Sequence, residues 1–249
     1  GRKGGVGKTT TTINLGVVLG QAGQDVVVVD ADLAMTNLGQ RLGIDHEPGI
    51  HQVLAGEAPV RDAVVARPAG LSAITGDRDL KSFAAAEPAE LGRVLDLLAV
   101  AYDVVLVDTG SGVQRNSVIA YQEADGVVLV TTADDVAIAD ANRTATLATD
   151  ADCPTLGAVV TRAESGADPG DVASLDADVL AAVPDHETGG PITASEPTSD
   201  AAGTYRTIAA SLPAVDAEAV IPENSAPEAE ESEDSRSETG DDGGTTVSP

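Results

Sequence analysis

Five short runs in this chain are almost wholly aliphatic: 25–30 (DVVVVD), 103–108 (DVVLVD), 126–132 (GVVLVTT), 156–161 (LGAVVT) and 179–184 (VLAAVP). A strand with one wet face alternates apolar and polar residues. These runs have no polar face, so each reads as a strand covered on both sides. The stretches 8–22, 89–101, 114–122, 135–149 and 199–211 fall before, between or after them and read as helices. In the first, Ile13, Leu15, Val17, Val18 and Leu19 make a broad apolar face and Gly23 is a stop signal. In the second, Leu91, Val94, Leu95 and Leu98 share one side. This alternation predicts an α/β, doubly wound, mostly parallel sheet with helices on both faces. Between 43 and 88, Gly and Pro cut the chain into pieces: a short helix near 50–55, and strands at 63–66 and 71–75 around a turn at 68–70. His46 and His51 fall there without a second histidine at metal spacing, and both are expected at the surface, as is His186.

The first ten residues, GRKGGVGKTT, carry the chemistry. Gly4, Gly5 and Gly7 let the backbone curl so that its N–H groups point inward at a phosphate. Lys8 brings a positive charge for the β- and γ-phosphates, the Thr9 hydroxyl is placed for Mg²⁺, and the helix that opens here adds its positive end. The phosphate-binding set is thus Gly4, Gly5, Val6, Gly7, Lys8, Thr9 and Thr10. The general P-loop pattern wants Gly six residues before the lysine, and Arg2 stands there instead. A P-loop normally follows a buried strand that aims it, so a hydrophobic strand is expected upstream of Gly1 in the natural protein.

The pattern that does fit, Lys-Gly-Gly-x-Gly-Lys-Thr with the early Lys3, resembles the MinD/ParA group of deviant P-loop ATPases. The resemblance spans roughly residues 1–212 and implies the P-loop NTPase fold, bound ATP and Mg²⁺, and a homodimer formed with ATP. It also implies that Lys3 reaches across the dimer to the partner's nucleotide.

Two acidic strand ends extend the pattern. Asp30-Ala31-Asp32 leaves the carboxyl end of the first Val run, where α/β sheets bind ligands. Alone, such a pair is as often a solvated turn; beside a P-loop it points to chemistry. The segment DLAMTNLG from Asp32 resembles the family's switch segment, which implies that Asp32 orients the attacking water, Asp30 supports the Mg²⁺ shell and Asn37 lies in the switch. Asp108 ends the second run at the Walker B position, expected to hold a Mg²⁺-bound water. Gly110 follows, with an N–H that could meet the γ-phosphate. By resemblance, Thr161 and Arg162 fall on the adenine side, with Pro184 as pocket backbone. The candidate sets are therefore catalytic Lys3, Lys8 and Asp32, and metal-associated Thr9, Asp30 and Asp108.

Charge narrows the setting. The chain carries a formal net charge of −27, and only three of its 14 basic residues are lysines. Residues 213–249 hold 11 acids and one Arg and are rich in Pro, Ser and Gly, so they are expected to be a disordered acidic tail behind a 1–212 domain. The domain itself remains acidic. Such a surface suits molar salt, where self-repulsion is screened, and suggests a haloarchaeal protein. Generic DNA binding is disfavoured, because phosphate contacts need basic patches. Cys153 is the sole cysteine and is expected to be structural. The sequence has neither a signal peptide nor a long apolar run, which points to the cytoplasm, and it has no basic amphipathic helix for membrane targeting.

The leading functional expectation is a dimerising ATPase switch, slow and stimulated by an unnamed protein, that positions a division site, chromosome or polar machinery. Two alternatives are an iron–sulfur carrier or reductase of the related P-loop group, and a low-turnover ATP-binding adaptor that uses the acidic tail.

Overall fold

The structure is a computed structural model that describes residues 5–68, 70–77, 79–112, 114–164, 172, 174–186 and 190–213. Lys3, Gly4 and residues 214–249 of the expected tail lie outside the described residues. In chain order the elements are α1 (Lys8–Gln21), β1 (Val26–Asp30), α2 (Leu38–Leu42), α3 (Ile50–Leu54), α4 (Val60–Ala63), β2 (Val65–Ala66), β3 (Leu71–Ile74) and α5 (Leu80–Ala85). A 3₁₀ turn at Pro88–Glu90 leads into α6 (Leu91–Ala101), β4 (Val104–Asp108), α7 (Arg115–Glu123), β5 (Val127–Thr131), α8 (Asp135–Asp150), β6 (Thr155–Ala163), β7 (Val179–Pro184), α9 (Ile192–Ser195) and α10 (Asp200–Ala210).

Every residue of β1 is buried, as its unbroken Val run requires. Val26 and Val28 pack with α1, α9 and α10 on one face of the sheet. Val27 and Val29 pack with α3 and α6 on the other. Helices therefore cover both faces, and each fully buried Val contributes about 1.5–3 kcal/mol through the water it sheds. β1 lies between β3 and β4 and is parallel to both, while β2 adds an antiparallel edge. The register sets Asp30 opposite Asp108.

The second sheet has the order β5-β6-β7, all parallel. α1 packs on β1, β3 and β4 of the first sheet and on β5 of the second. β4 and β5 are edge strands, with no ladder joining them among the described residues. For this reason Val104–Val107 and most of β5 are only half-buried, although their sequences are as aliphatic as that of β1.

Three features depart from the sequence expectation. The stretch 60–63 is helical, which confines the strand expected at 63–66 to Val65–Ala66. His51, expected at the surface, is fully buried, because α3 turns it inward beside Ile50 and Leu54 and backbone groups satisfy both ring nitrogens. His186, expected to be exposed, is half-buried with its ring edge-on to Tyr205. Among the described residues, no helix is long and apolar enough to cross a membrane.

Candidate functional site

The loop turns into α1 at Gly7, which has a φ of 94° in the left-handed region, where a side chain would be strained. No side chain caps this helix end and its first turn holds no acid. The leading N–H groups of α1 therefore remain available to an anionic acceptor.

β6 holds the loop from behind. The Thr161 hydroxyl lies 2.6 Å from the Val6 carbonyl and 3.1 Å from the Thr131 carbonyl, and its single proton serves the two. Arg162, at a φ of 55°, donates from Nη2 to the Gly5 carbonyl at 2.7 Å. The pair expected on the adenine side thus stands against the loop itself. Pro184 ends β7 in register with Ala163, and its carbonyl accepts from His186 Nδ1 at 3.1 Å.

The carboxylates gather at the carboxyl ends of β1 and β4. Asp108 is 3% exposed and has the Thr9 hydroxyl and the Lys8 ammonium nearby, both of which favour its charged form. Burial outweighs both and raises its pKa to about 6. Asp30 is fully buried, and its Oδ2 accepts from the N–H groups of Asn37 and Leu38, each at 3.1 Å. Desolvation, followed by the neighbouring Asp108 charge, pushes its pKa up to about 7 against those two donors. Asp30 Oδ1 and Asp32 Oδ1 are buried atoms with no hydrogen-bond partner among the described residues. Unpaired acceptors of this kind are costly in a folded protein and point to a missing cation or donor. Asp32 lies against Gly110.

Sequence reasoning missed two supports of this cluster. Asn116, buried on α7, donates from Nδ2 to the Ala31 carbonyl and so anchors the backbone between the two acids. His51 donates from Nε2 to the Leu33 carbonyl at 3.0 Å. His51 is the one polar residue among the buried positions of α3, which is the signal that could have marked it; Asn116 shares its buried positions with Ser117 and Tyr121 and carried no such signal. Cys153 is buried, with its thiol 3.6 Å from the Ala124 carbonyl, and burial raises its pKa.

A glycine-rich loop opening an uncapped helix, with two acidic strand ends beside it in a doubly wound sheet, defines a P-loop nucleotide-binding protein. Residues 1–148 match the family described as an AAA domain, and the chain belongs to that family. It is 34% identical over 161 residues to an uncharacterized ATP-binding protein of Methanocaldococcus jannaschii, a match covering 64% of this chain and 61% of that protein. It is 36% identical over 144 residues to the flagellum site-determining protein of Helicobacter pylori, covering 56% and 48%. The septum site-determining protein MinD of Pyrococcus horikoshii, solved with Mg-ADP, superposes with a TM-score of 0.77 at 30% identity, over 84% of this chain and 91% of that one. The fold is that of the MinD/ParA group. The matched region spans 48% to 61% of the length of these two sequence relatives.

Proposed function

We propose that this chain is an ATP-dependent, dimerising ATPase of the MinD/ParA type that acts as a positioning switch. One observation carries the reading. The uncapped start of α1 with Lys8 and Thr9, the Asp108 carboxylate near both, and the partnerless oxygens of Asp30 and Asp32 all meet at one end of β1 and β4.

The donor set suits Mg²⁺, which prefers hard oxygens and shares its shell with phosphates and water. Among the described residues, no group of three or more His, Cys, Asp or Glu forms an all-protein cage, and a phosphate-shared ion needs only one or two protein oxygens. Thr9 would bind the ion directly, with Asp108 and Asp30 behind it. When bound, it neutralises charge on the β- and γ-phosphates. The loop amides from Gly5 to Thr10, with Gly4 ahead of them, cradle the phosphates, and Lys8 adds its ammonium. Asp32 Oδ1, with free lone pairs, accepts a hydrogen bond from the attacking water and so orients it. The Gly110 N–H meets the γ-phosphate, while Thr161, Arg162 and Pro184 complete the nucleotide side. Lys3 crosses to the partner's phosphates.

The flagellar and septal relatives bear names of site-determining proteins, which favours a positioning task; an activating protein and a cargo, neither identified, complete the proposal. The test is the oligomeric state by light scattering without nucleotide, with ADP and with ATP, in concentrated KCl. Wild type is expected to dimerise with ATP alone, and Lys3→Ala to bind ATP yet stay monomeric. A wild-type monomer in every condition overturns the switch. A Lys3→Ala dimer overturns the trans role of Lys3.

A further inference from the structure

His51 is a fully buried imidazole with both nitrogens engaged by backbone. The Asp77 N–H can only donate, so Nδ1 is its acceptor, at 3.0 Å. Nε2 therefore carries the proton and donates it to the Leu33 carbonyl, at 3.0 Å. One neutral ring thus ties the residue next to Asp32 to the turn between β3 and α5. A second tether runs in parallel, from Thr36 Oγ1 to the Asp77 carbonyl at 3.1 Å. The two segments lie so close that a Cβ on Gly76 would overlap the Thr36 methyl. The turn itself is braced: the Asp77 carboxylate accepts from Ser82 Oγ at 2.9 Å and from Gln52 Nε2 at 3.3 Å. At its far end the same loop is pinned to Asp30 Oδ2 through Asn37 and Leu38. Asp32 directly precedes the first of these fixed points, Leu33; its carbonyl accepts from the Met35 N–H at 3.0 Å, and its Oδ1 has no partner among the described residues.

We infer that His51 is a positioning residue for Asp32, fixing the loop that carries this carboxylate through its paired hydrogen bonds to Leu33 and Asp77. The inference rests on the reading of Asp32 as the water-orienting group. A carboxylate that orients water must be held to a fraction of an ångström, and a 1 Å misplacement costs about 100-fold in rate. The loop supplies that precision only through its tethers, because Ala34 and Met35 at its tip are exposed.

The test compares His51→Leu, which keeps an apolar filler and loses both hydrogen bonds, with His51→Gln, which retains a donor and an acceptor. Single-turnover ATP hydrolysis, MgATP affinity and amide exchange over residues 33–37 are measured on the full chain, with Asp32→Ala, which removes the acceptor, as control. His51→Leu is expected to hydrolyse about 10- to 100-fold more slowly, with affinity within about threefold and faster exchange over the loop. His51→Gln is expected to recover most of the rate. A wild-type rate in His51→Leu beside an inactive Asp32→Ala overturns the inference and leaves the Asp32 role standing. Equal loss in both His51 variants overturns the hydrogen-bonding role in favour of simple packing. A wild-type rate in Asp32→Ala overturns the Asp32 reading, and this inference with it. If His51→Leu does not fold, Thr36→Val, which cuts the parallel tether, takes its place; slower hydrolysis at unchanged affinity supports the inference and a wild-type rate overturns it.

Discussion

Gly110 leaves its Cβ position empty where such an atom would lie 2.8 Å from Asp32 Oδ1 and 2.9 Å from Gln114 Nε2. Its backbone is outside the left-handed region, so alanine is conformationally allowed there. The clash falls on the ends of two side chains, which can swing away, rather than on backbone. Gly110→Ala is therefore predicted to fold with a Tm within about 3 °C of wild type while displacing the Asp32 carboxylate. Hydrolysis should fall about 10- to 100-fold with nucleotide affinity little changed. Undiminished hydrolysis would show that Asp32 does not act from the position seen here.

The burial of Asp30, and secondarily its place opposite Asp108, has a signature in stability. The Asp30 pKa rises from 3.8 to about 7 on folding. Between those values the native carboxyl keeps a proton that the unfolded chain releases. The sign follows: this group favours the fold below about pH 4 and loses that contribution as pH rises to about 7. Asp30→Asn removes the loss. Without nucleotide or metal, the variant should match wild type at the acid end and exceed it by about 2–4 kcal/mol at about pH 8. Its amide oxygen can still accept from Asn37 and Leu38, and its NH₂ can donate toward Asp108. Thermal melts across this range check the prediction, and a difference that does not grow with pH contradicts it.

Thr161 bears on the loop from a distance of 155 residues in sequence. Thr161→Val keeps the methyl that lies against Gly7 and deletes the hydroxyl, which leaves the Val6 carbonyl without that donor. Losing one hydrogen bond to a buried acceptor costs about 1–3 kcal/mol, here paid in loop order. Calorimetry with MgATP should show affinity weakened about 5- to 100-fold. An unchanged affinity would mean that the loop holds its shape without β6.

The contrast between Thr161 and β1 shows what the sequence makes legible. The Val run of β1 is a local signal: five successive buried residues admit no other placement, and the acid that ends it marks a ligand-facing strand end. The loop and α1 are equally local, because glycine conformation and helix start are set within a few residues. Three other features depend on register and packing between remote segments. They are Asp30 facing Asp108, the hydroxyl of Thr161 under Val6, and His51 between Leu33 and Asp77. No periodicity encodes these meetings. The half-exposure of Val104–Val107 belongs with them, since a strand's composition states how much cover it wants and only its neighbours decide how much it receives.

Salt should stabilise this protein. Its formal net charge is −27, with 41 acidic against 14 basic residues, so most acids have no basic residue to pair with. Among the described residues, Arg61–Asp62, Arg93–Glu90 and Arg143–Asp140 are ion pairs between exposed side chains close in sequence, and pairs of this kind contribute little. Raising ionic strength from about 0.1 M to about 1 M shortens the screening length from about 10 Å to about 3 Å, less than typical spacings between surface charges. Repulsion then falls steeply and further salt adds little through this route. The Tm is predicted to rise by about 5–10 °C, with most of the gain below about 1 M KCl. Replacing exposed acids of α8 such as Asp135 and Asp150 with Asn should flatten the response if repulsion drives it. A Tm that climbs equally in that variant would assign the effect to general salt exclusion from the surface, and a flat wild-type curve would remove the case for adaptation to molar salt.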